Sequence, residues 1–147
     1  MVSLWREASP QRVVVGDGRA KTGPSRVLVV DDSDTVRTLI RINLELEGFE
    51  VQEAESGARC LELVPGTDVV TLDLLLPDPG PGGLDVLRRL KCDPALGRPR
   101  VVVVTAAALP EDRRRGESAG ADAYITKPFE PVDLVDAVRA LALPGGT

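Results

Sequence analysis

Short apolar runs alternate along the chain with longer segments in which apolar residues recur at helical spacing. The short runs are rich in β-branched residues, which is typical of strands buried on both faces of a sheet. They are RVLVV (26–30), FEVQEA (49–54), DVVTLD (68–73), RVVVVTA (100–106) and DAYITK (122–127). The helical segments are TVRTLIRINLELE (35–47), SGARCLELV (56–64), LDVLRRLKC (84–92), PEDRRRGESAG (110–120) and PVDLVDAVRALAL (131–143). Five strands alternating with five helices predict a parallel sheet in a doubly wound, three-layer α/β fold.

Turn and capping signals set the predicted domain boundaries. Residues 1–25 have no sustained periodicity and are interrupted by glycine and proline, so they are predicted to form a flexible N-terminal tail. Residues 26–143 form one domain, which is large enough to need no disulfide or metal for its stability. Residues 144–147 begin with a proline and are predicted to be a frayed C terminus.

Composition narrows the class of protein further. The 147 residues carry a net charge of −5, which argues against a nucleic-acid partner, and no apolar run is long enough to cross a membrane. Cys60 and Cys92 stand alone, as free thiols in a cytoplasmic protein do. The chain has no histidine, which removes Ser-His-Asp and Cys-His catalysis, the common zinc sites and any phosphohistidine of its own.

Polar side chains stand at the carboxyl ends of four of the five predicted strands, the edge at which sites form in open α/β sheets. They are Asp31-Asp32, Asp73, Thr105 and Lys127. Asp73 is unusual because it ends an apolar strand, and a buried carboxylate needs a partner, a proton or a metal. Three clustered carboxylates with no histidine or thiolate favour Mg²⁺, with Mn²⁺ as the alternative.

A role as a nucleophile would explain why a carboxylate, Asp73, stands at the end of an apolar strand. Carboxylates form aspartyl phosphates, and phosphoryl transfer needs charge neutralisation on the phosphoryl oxygens more than it needs covalent chemistry. A metal ion, the Lys127 ammonium and the Thr105 hydroxyl would each serve one of those oxygens. The residues therefore fit an aspartate that becomes phosphorylated.

Four ordered motifs carry a resemblance to a known family. They are VLVVDDSDTVR, TLDLLLPD, VVVVTA and YITKPF. With these motifs the chain resembles the response-regulator receiver domain of bacterial two-component signalling over about residues 26–143. The resemblance implies a flavodoxin-like, five-stranded parallel sheet of order 2-1-3-4-5, flanked by five helices.

The resemblance also implies a role for each matching residue. Asp73 would be the phosphoacceptor, Asp32 a direct metal ligand and Asp31 a metal ligand through water. The backbone carbonyl of Leu75 would bind the metal, and Thr105 and Lys127 would be the hydroxyl and the lysine of the family's site. Tyr124 would be an aromatic switch that acts together with Thr105.

The sequence departs from the family pattern beside the site. The loop LLLPDPGPGG (74–83) is about two residues longer than usual and rich in proline and glycine. Leu75 and Ala107, two residues after Asp73 and Thr105, replace positions that are often polar in the family. The fourth helical segment offers little apolar surface. These departures bear on regulation and partner choice.

Each site residue also has an ordinary structural interpretation. Asp31-Asp32 could serve only as a helix N-cap, and Lys127 could be a surface lysine. Tyr124 could be a half-buried strand aromatic. The arginine triplet 113–115 is interpreted as a solvated helix face.

We therefore expect a single-domain response regulator, not an enzyme beyond its own phosphorylation and slow dephosphorylation. Its phosphoryl donor would be a sensor histidine kinase or a histidine phosphotransfer protein. Its output would be contact with a downstream protein or relay of the phosphoryl group. Two alternatives stay open: a pseudo-receiver that binds partners without phosphorylation, and a small hydrolase that uses Asp73 on phosphate esters.

Overall fold

Five strands pair into one parallel sheet in the computed structural model of the chain, which describes residues 23–142 and the two-residue strands Val13–Val14 and Ala20–Lys21. We number the strands of the main sheet β1 (Arg26–Val30), β2 (Glu50–Ala54), β3 (Val69–Leu72), β4 (Arg100–Thr105) and β5 (Ala123–Thr126). Their order across the sheet is β2-β1-β3-β4-β5, and every neighbouring pair is parallel. The predicted order is confirmed.

Five α-helices connect and follow these strands. They are α1 (Asp34–Leu46), α2 (Gly57–Leu63), α3 (Gly83–Cys92), α4 (Pro110–Ser118) and α5 (Pro131–Ala142). Serine side chains cap the first two: Ser33 accepts from the backbone N–H of Val36, and Ser56 accepts from that of Arg59. A short 3₁₀ turn, Pro94–Leu96, leads into β4 and has no counterpart in the sequence prediction.

Consecutive residues of β1 pack on opposite faces of the sheet. Val27 and Val29 lie in the core beneath α1 and α5, and Leu28 and Val30 lie in the core beneath α2 and α3. None of the four is more than 1% exposed. A strand covered on both faces has no solvent side, which is why its sequence is continuously apolar rather than alternating.

Helix α4 is the least embedded of the helices. Gly116 is its one buried residue, and the three arginines 113–115 are exposed, as the sequence predicts for a solvated face. This helix therefore rests on the sheet through a glycine rather than through apolar side chains.

The structure describes only part of each predicted terminus. Val13–Val14 pairs antiparallel with Ala20–Lys21 inside the segment predicted to be a tail, while most of residues 1–22 and all of 143–147 lie outside the described residues. The domain boundaries therefore stay predictions. Within the described part of the chain, no helix has the length and apolar character needed to cross a bilayer.

Candidate functional site

The loops that leave β1, β3 and β5 meet at the carboxyl edge of the sheet and bring three charged side chains into contact. Lys127 Nζ donates to Asp31 Oδ2 at 2.6 Å and to Asp73 Oδ2 at 2.9 Å. Asp31 follows β1 directly, Asp73 follows β3, and Lys127 follows β5. Residues separated by up to 96 positions in sequence thus form one cluster, as their positions at strand ends predict.

Asp32 completes the acidic part of this cluster. One carboxylate oxygen from each of Asp31, Asp32 and Asp73 lies within 4.8 Å of the other two. Asp31 and Asp73 are only 2% and 4% exposed, whereas Asp32 faces solvent. The three side chains therefore offer an all-oxygen set of ligands that is open on one side, which suits a hard divalent cation.

Burial and hydrogen bonding shift the pKa values of Asp31 and Lys127. The pKa of Asp31 is raised, mainly because burial disfavours the carboxylate, and the hydrogen bonds from Lys127 and Ser33 only partly offset that effect. The pKa of Lys127 is also raised: burial lowers it, but the hydrogen bonds to Asp31 and Asp73 outweigh burial. Both directions are consistent with two buried carboxylates that share one ammonium.

The position of Asp73 is fixed by its own backbone and by the loop that follows it. Its backbone N–H donates to the carbonyl of Val30 at 3.0 Å, and its Oδ1 accepts from the backbone N–H of Leu75 at 2.9 Å. Gly83, the first residue of α3, packs directly on this backbone, since a Cβ there would lie 2.4 Å from the Asp73 carbonyl oxygen. A side chain at position 83 would therefore displace Asp73. No local pattern in the sequence indicates this contact, because it joins the two ends of the loop.

The loop between Asp73 and α3 is the long, proline-rich segment noted in the sequence. Its first turn is held by the Leu75 N–H and its end by the packing of Gly83, while residues 77–80 are exposed. Leu75, which is 57% exposed, lies at the start of this loop, two residues after Asp73. The middle of this loop therefore extends into solvent.

Thr105 ends β4 and is fully buried. Its Oγ1 accepts from the backbone N–H of Ala107 at 3.3 Å. Among the described residues, no hydrogen bond joins this hydroxyl to Asp31, Asp73 or Lys127. Its backbone carbonyl, however, accepts from the backbone N–H of Lys127 at 2.9 Å. The structure therefore joins Thr105 to the charged cluster through the main chain and not through its hydroxyl.

Tyr124 lies under α4 with its ring turned inward. Its hydroxyl donates to the carbonyl of Ala107 at 2.5 Å, and the Arg113 guanidinium lies 5.6 Å from the centre of its ring. A Cβ at Gly116 would come within 2.9 Å of the ring, so the glycine makes room for it. The pKa of Tyr124 is raised, first because of burial and then because of the nearby Asp112 carboxylate. The N–H of Ala107 thus contacts Thr105, and its C=O contacts Tyr124.

Known proteins share this arrangement of strands and motifs. The family model described as the response regulator receiver domain matches residues 27–139. The DNA-binding dual master transcriptional regulator RpaA of Synechocystis sp. is 38% identical over 120 residues, which cover 79% of this chain and 48% of that protein. The chain spans about half the length of the curated relatives it matches.

Solved receiver domains have a similar fold. The BeF3-activated DrrB receiver domain superposes with a TM-score of 0.72 at 30% identity, covering 80% of this chain and 97% of that chain. A CheY-like response regulator receiver domain protein from Methanospirillum hungatei JF-1 gives a TM-score of 0.70 at 31% identity, covering 80% and 92% of the two chains. The five-stranded sheet and its flanking helices are therefore those of a receiver domain.

Proposed function

The chain belongs to the response regulator receiver family, and from that premise we propose that it accepts a phosphoryl group on Asp73 from a phosphohistidine of another protein. The observation that carries the proposal is the cluster of Asp73 with Lys127, Asp31 and Asp32 at one edge of the sheet. The chain has no histidine, so a phosphohistidine donor would belong to a partner, either a sensor histidine kinase or a histidine phosphotransfer protein.

The oxygen ligands of the cluster fit Mg²⁺, with Mn²⁺ as the alternative. Asp32 and Asp73 would bind the ion directly, Asp31 would act through water, and the Leu75 carbonyl would supply a further protein oxygen. A bound divalent cation supplies neutralisation of the charge on a phosphoryl oxygen. The fit rests on the three carboxylate oxygens within 4.8 Å of one another and on the absence of nitrogen or sulfur ligands from the set.

The transfer itself uses groups of the chain. A carboxylate oxygen of Asp73 forms a bond to phosphorus as the bond from phosphorus to the partner's imidazole nitrogen breaks, and the nitrogen keeps the electron pair. Lys127, already hydrogen-bonded to Asp73, offsets the charge of the arriving phosphoryl group. The Thr105 hydroxyl accepts from Ala107 N–H and so retains its own proton, which it would donate to a phosphoryl oxygen.

The response to phosphorylation would pass from Thr105 to Tyr124. Both side chains are hydrogen-bonded to Ala107, one to its N–H and the other to its C=O. A movement of Thr105 toward the phosphoryl group would break the first of these bonds and disturb the second. Tyr124 and α4 would then present a different surface to a downstream protein.

The curated relatives bear on partners only in part. Several are described as transcriptional regulators, and this chain corresponds to about half of their length. Output through protein contact, the lack of a nucleic-acid partner and a cytoplasmic location stay predictions.

Intact-mass measurement tests the proposal. Incubation with a small-molecule phosphodonor and Mg²⁺ should add about 80 Da, the mass of one phosphoryl group on an aspartate, and chelation of the metal should prevent the addition. If no adduct forms, the result would favour a pseudo-receiver that binds partner proteins without being phosphorylated. Steady turnover of phosphate esters without an adduct would instead indicate a hydrolase.

A further inference from the structure

Arg37 connects three segments that surround the acidic cluster. It lies in the first turn of α1, and its side chain is only 11% exposed. Its Nη1 donates to the backbone carbonyl of Asp31 at 2.6 Å, its Nε donates to Glu53 Oε1 at 3.1 Å, and its Nη2 is bonded to the Asp34 carboxylate. One planar guanidinium thus fastens the end of β1, the edge strand β2 and the start of α1.

Glu53 connects β2 to the acidic cluster through its hydrogen bond with Arg37. No polar residue at the carboxyl end of β2 reaches the acidic cluster directly, but Glu53 is the second-to-last residue of that strand. The backbone N–H of Asp31 also donates to the carbonyl of Ala54 at 3.1 Å. The peptide groups on both sides of Asp31 are therefore anchored, one by the main chain of β2 and the other by Arg37.

The hydrogen bond from Arg37 to the Asp31 carbonyl has its main effect on the position of Asp32. The carbonyl of Asp31 and the N–H of Asp32 belong to the same planar peptide unit, so a bond that fixes the carbonyl also orients the start of Asp32. The Asp32 carboxylate is exposed, and no hydrogen bond to it is seen in the part of the chain that the structure describes. Among these residues, the hydrogen bonds that restrain its position are therefore those of the neighbouring backbone.

Charge does not explain this role of Arg37. Its guanidinium is already matched by the Glu53 and Asp34 carboxylates, so little of its positive charge is left to stabilise the cluster. Arg37 is distinguished instead by its geometry, because three donors of its rigid guanidinium bond to three different segments of the chain.

We infer that Arg37 is a positioning residue for the Asp31-Asp32 pair and thereby sets the affinity of the site for a divalent cation. The inference rests on the proposed function, in which these aspartates bind Mg²⁺. Partners that orient metal ligands are commonly worth about 10- to 100-fold in metal affinity.

Arg41 provides a matched control. It lies one turn further along α1 and donates to the other oxygen of the same carboxylate, Glu53 Oε2, at 2.9 Å. It also pairs with Glu45 at 3.0 Å, but it makes no contact with Asp31. Removing Arg41 therefore tests the loss of an arginine from this network without the loss of the anchor.

The experiment is titration of the metal-free full-length chain with MgCl₂ by calorimetry. Arg37→Met should raise the dissociation constant about tenfold or more, and Arg37→Lys should give an intermediate value because it keeps the charge and loses the fork. Arg41→Met should stay within about twofold of the wild type, because Arg41 bonds to Glu53 and Glu45 and its removal leaves the bond from Arg37 to the Asp31 carbonyl in place. In metal-free protein, amide hydrogen exchange in residues 32–36 should be faster in Arg37→Met than in Arg41→Met.

The possible results distinguish the positioning role of Arg37 from the existence of the metal site itself. Equal Mg²⁺ affinity in the wild type and both Arg37 variants would overturn the role of Arg37 and leave the metal site standing. Equal weakening by Arg37→Met and Arg41→Met would overturn it too, since a general loosening of α1 would then suffice. A wild type that binds no Mg²⁺ would overturn the metal site and the inference together. If Arg37→Met does not fold, Arg37→Lys decides, and wild-type affinity in that variant refutes the inference.

Discussion

Lys127 Nζ lies 2.9 Å from Asp73 Oδ2, so the proposed phosphoacceptor is already paired with a cation before a phosphoryl group arrives. Asp73→Asn keeps the size of the side chain and an oxygen that can accept from the Leu75 N–H. Asp31 remains as a partner for the ammonium. We therefore expect the fold to persist and the phosphoryl adduct to be lost, as measured by circular dichroism and intact mass.

The exposed carboxylate of Asp78 serves as the control for that substitution. Asp78 lies in the loop after Asp73, outside the acidic cluster. Asp78→Asn should be phosphorylated like the wild type. Labelling of Asp73→Asn at the wild-type rate would refute the assignment of the acceptor.

The phosphorylated state is predicted to be long-lived. Hydrolysis needs a water held in line with the phosphorus, and side chains two residues after Asp73 and Thr105 are well placed to hold it. Here they are Leu75 and Ala107, which offer no side-chain hydrogen bond. The double variant Leu75→Asn, Ala107→Glu should lose its phosphoryl group about tenfold faster, equivalent to about 1.4 kcal/mol of activation free energy.

Decay of the isolated phosphoprotein in Mg²⁺ buffer measures this difference. Leu46→Asn, at another strongly exposed leucine and at the far end of α1, should decay like the wild type. If the double variant decays no faster than the wild type, some other group orients the water.

Thr71 is predicted to weaken the core. It is 1% exposed in the middle of β3, between Val29 of β1 and Val102 of β4. Its hydroxyl has no hydrogen-bond partner among the residues that the structure describes. A buried polar group without a partner costs about 1–3 kcal/mol. Thr71→Val should therefore raise the free energy of unfolding by about 1 kcal/mol, measured by denaturant titration. The control Thr126→Val, at an exposed strand position, should change the free energy of unfolding by less than about 0.5 kcal/mol. If Thr71→Val lowers the free energy of unfolding instead, the Thr71 hydroxyl has a hydrogen-bond partner in solution.

The two cysteines should differ sharply in reactivity. Cys60 is fully buried in α2, and burial raises the pKa of its thiol to about 12, whereas Cys92 is exposed at the end of α3. Thiolate is the reactive form. A thiol reagent should therefore modify one cysteine in the native protein and both after unfolding, and the native Cys92→Ser variant should not react. Rapid reaction of that variant would reveal opening of α2.

Deletion of residues 1–24 tests the predicted boundary of the domain. The truncated chain keeps β1 and the bond from the Glu50 N–H to the Ser25 carbonyl. We expect the free energy of unfolding to change by less than about 1 kcal/mol, as for removal of a terminal segment that is not part of the core. A larger loss with cooperative unfolding retained would place the segment on the domain.

All ten main elements could be predicted because each is signalled locally. The β1 run RVLVV is observed at the predicted residues 26–30, and the helices begin or end within two residues of their predicted limits. The contact of Lys127 with Asp31 and Asp73 could also be predicted, because all three residues follow strand ends and parallel strands share one carboxyl edge.

The supporting contacts of the site could not be predicted in the same way. Glu53 looks like an ordinary polar residue of an edge strand, and only the tertiary structure joins it to Arg37. The closeness of Gly83 to the Asp73 backbone depends on the path of a loop whose length departs from the family pattern. Such contacts depend on the approach of one segment to another, which no local periodicity encodes.

The loop after Asp73 is secured at both ends and exposed between them, which makes it a suitable place for a reporter. Asp78 is exposed in its middle, and at Gly80 an added Cβ would meet nothing within 4 Å. A fluorophore attached through Asp78→Cys, in a chain that also carries Cys92→Ser, would lie in the exposed part of the loop that follows the acceptor, outside the acidic cluster. An approaching phosphodonor protein would change the emission of this fluorophore on contact, so docking could be timed separately from phosphoryl transfer.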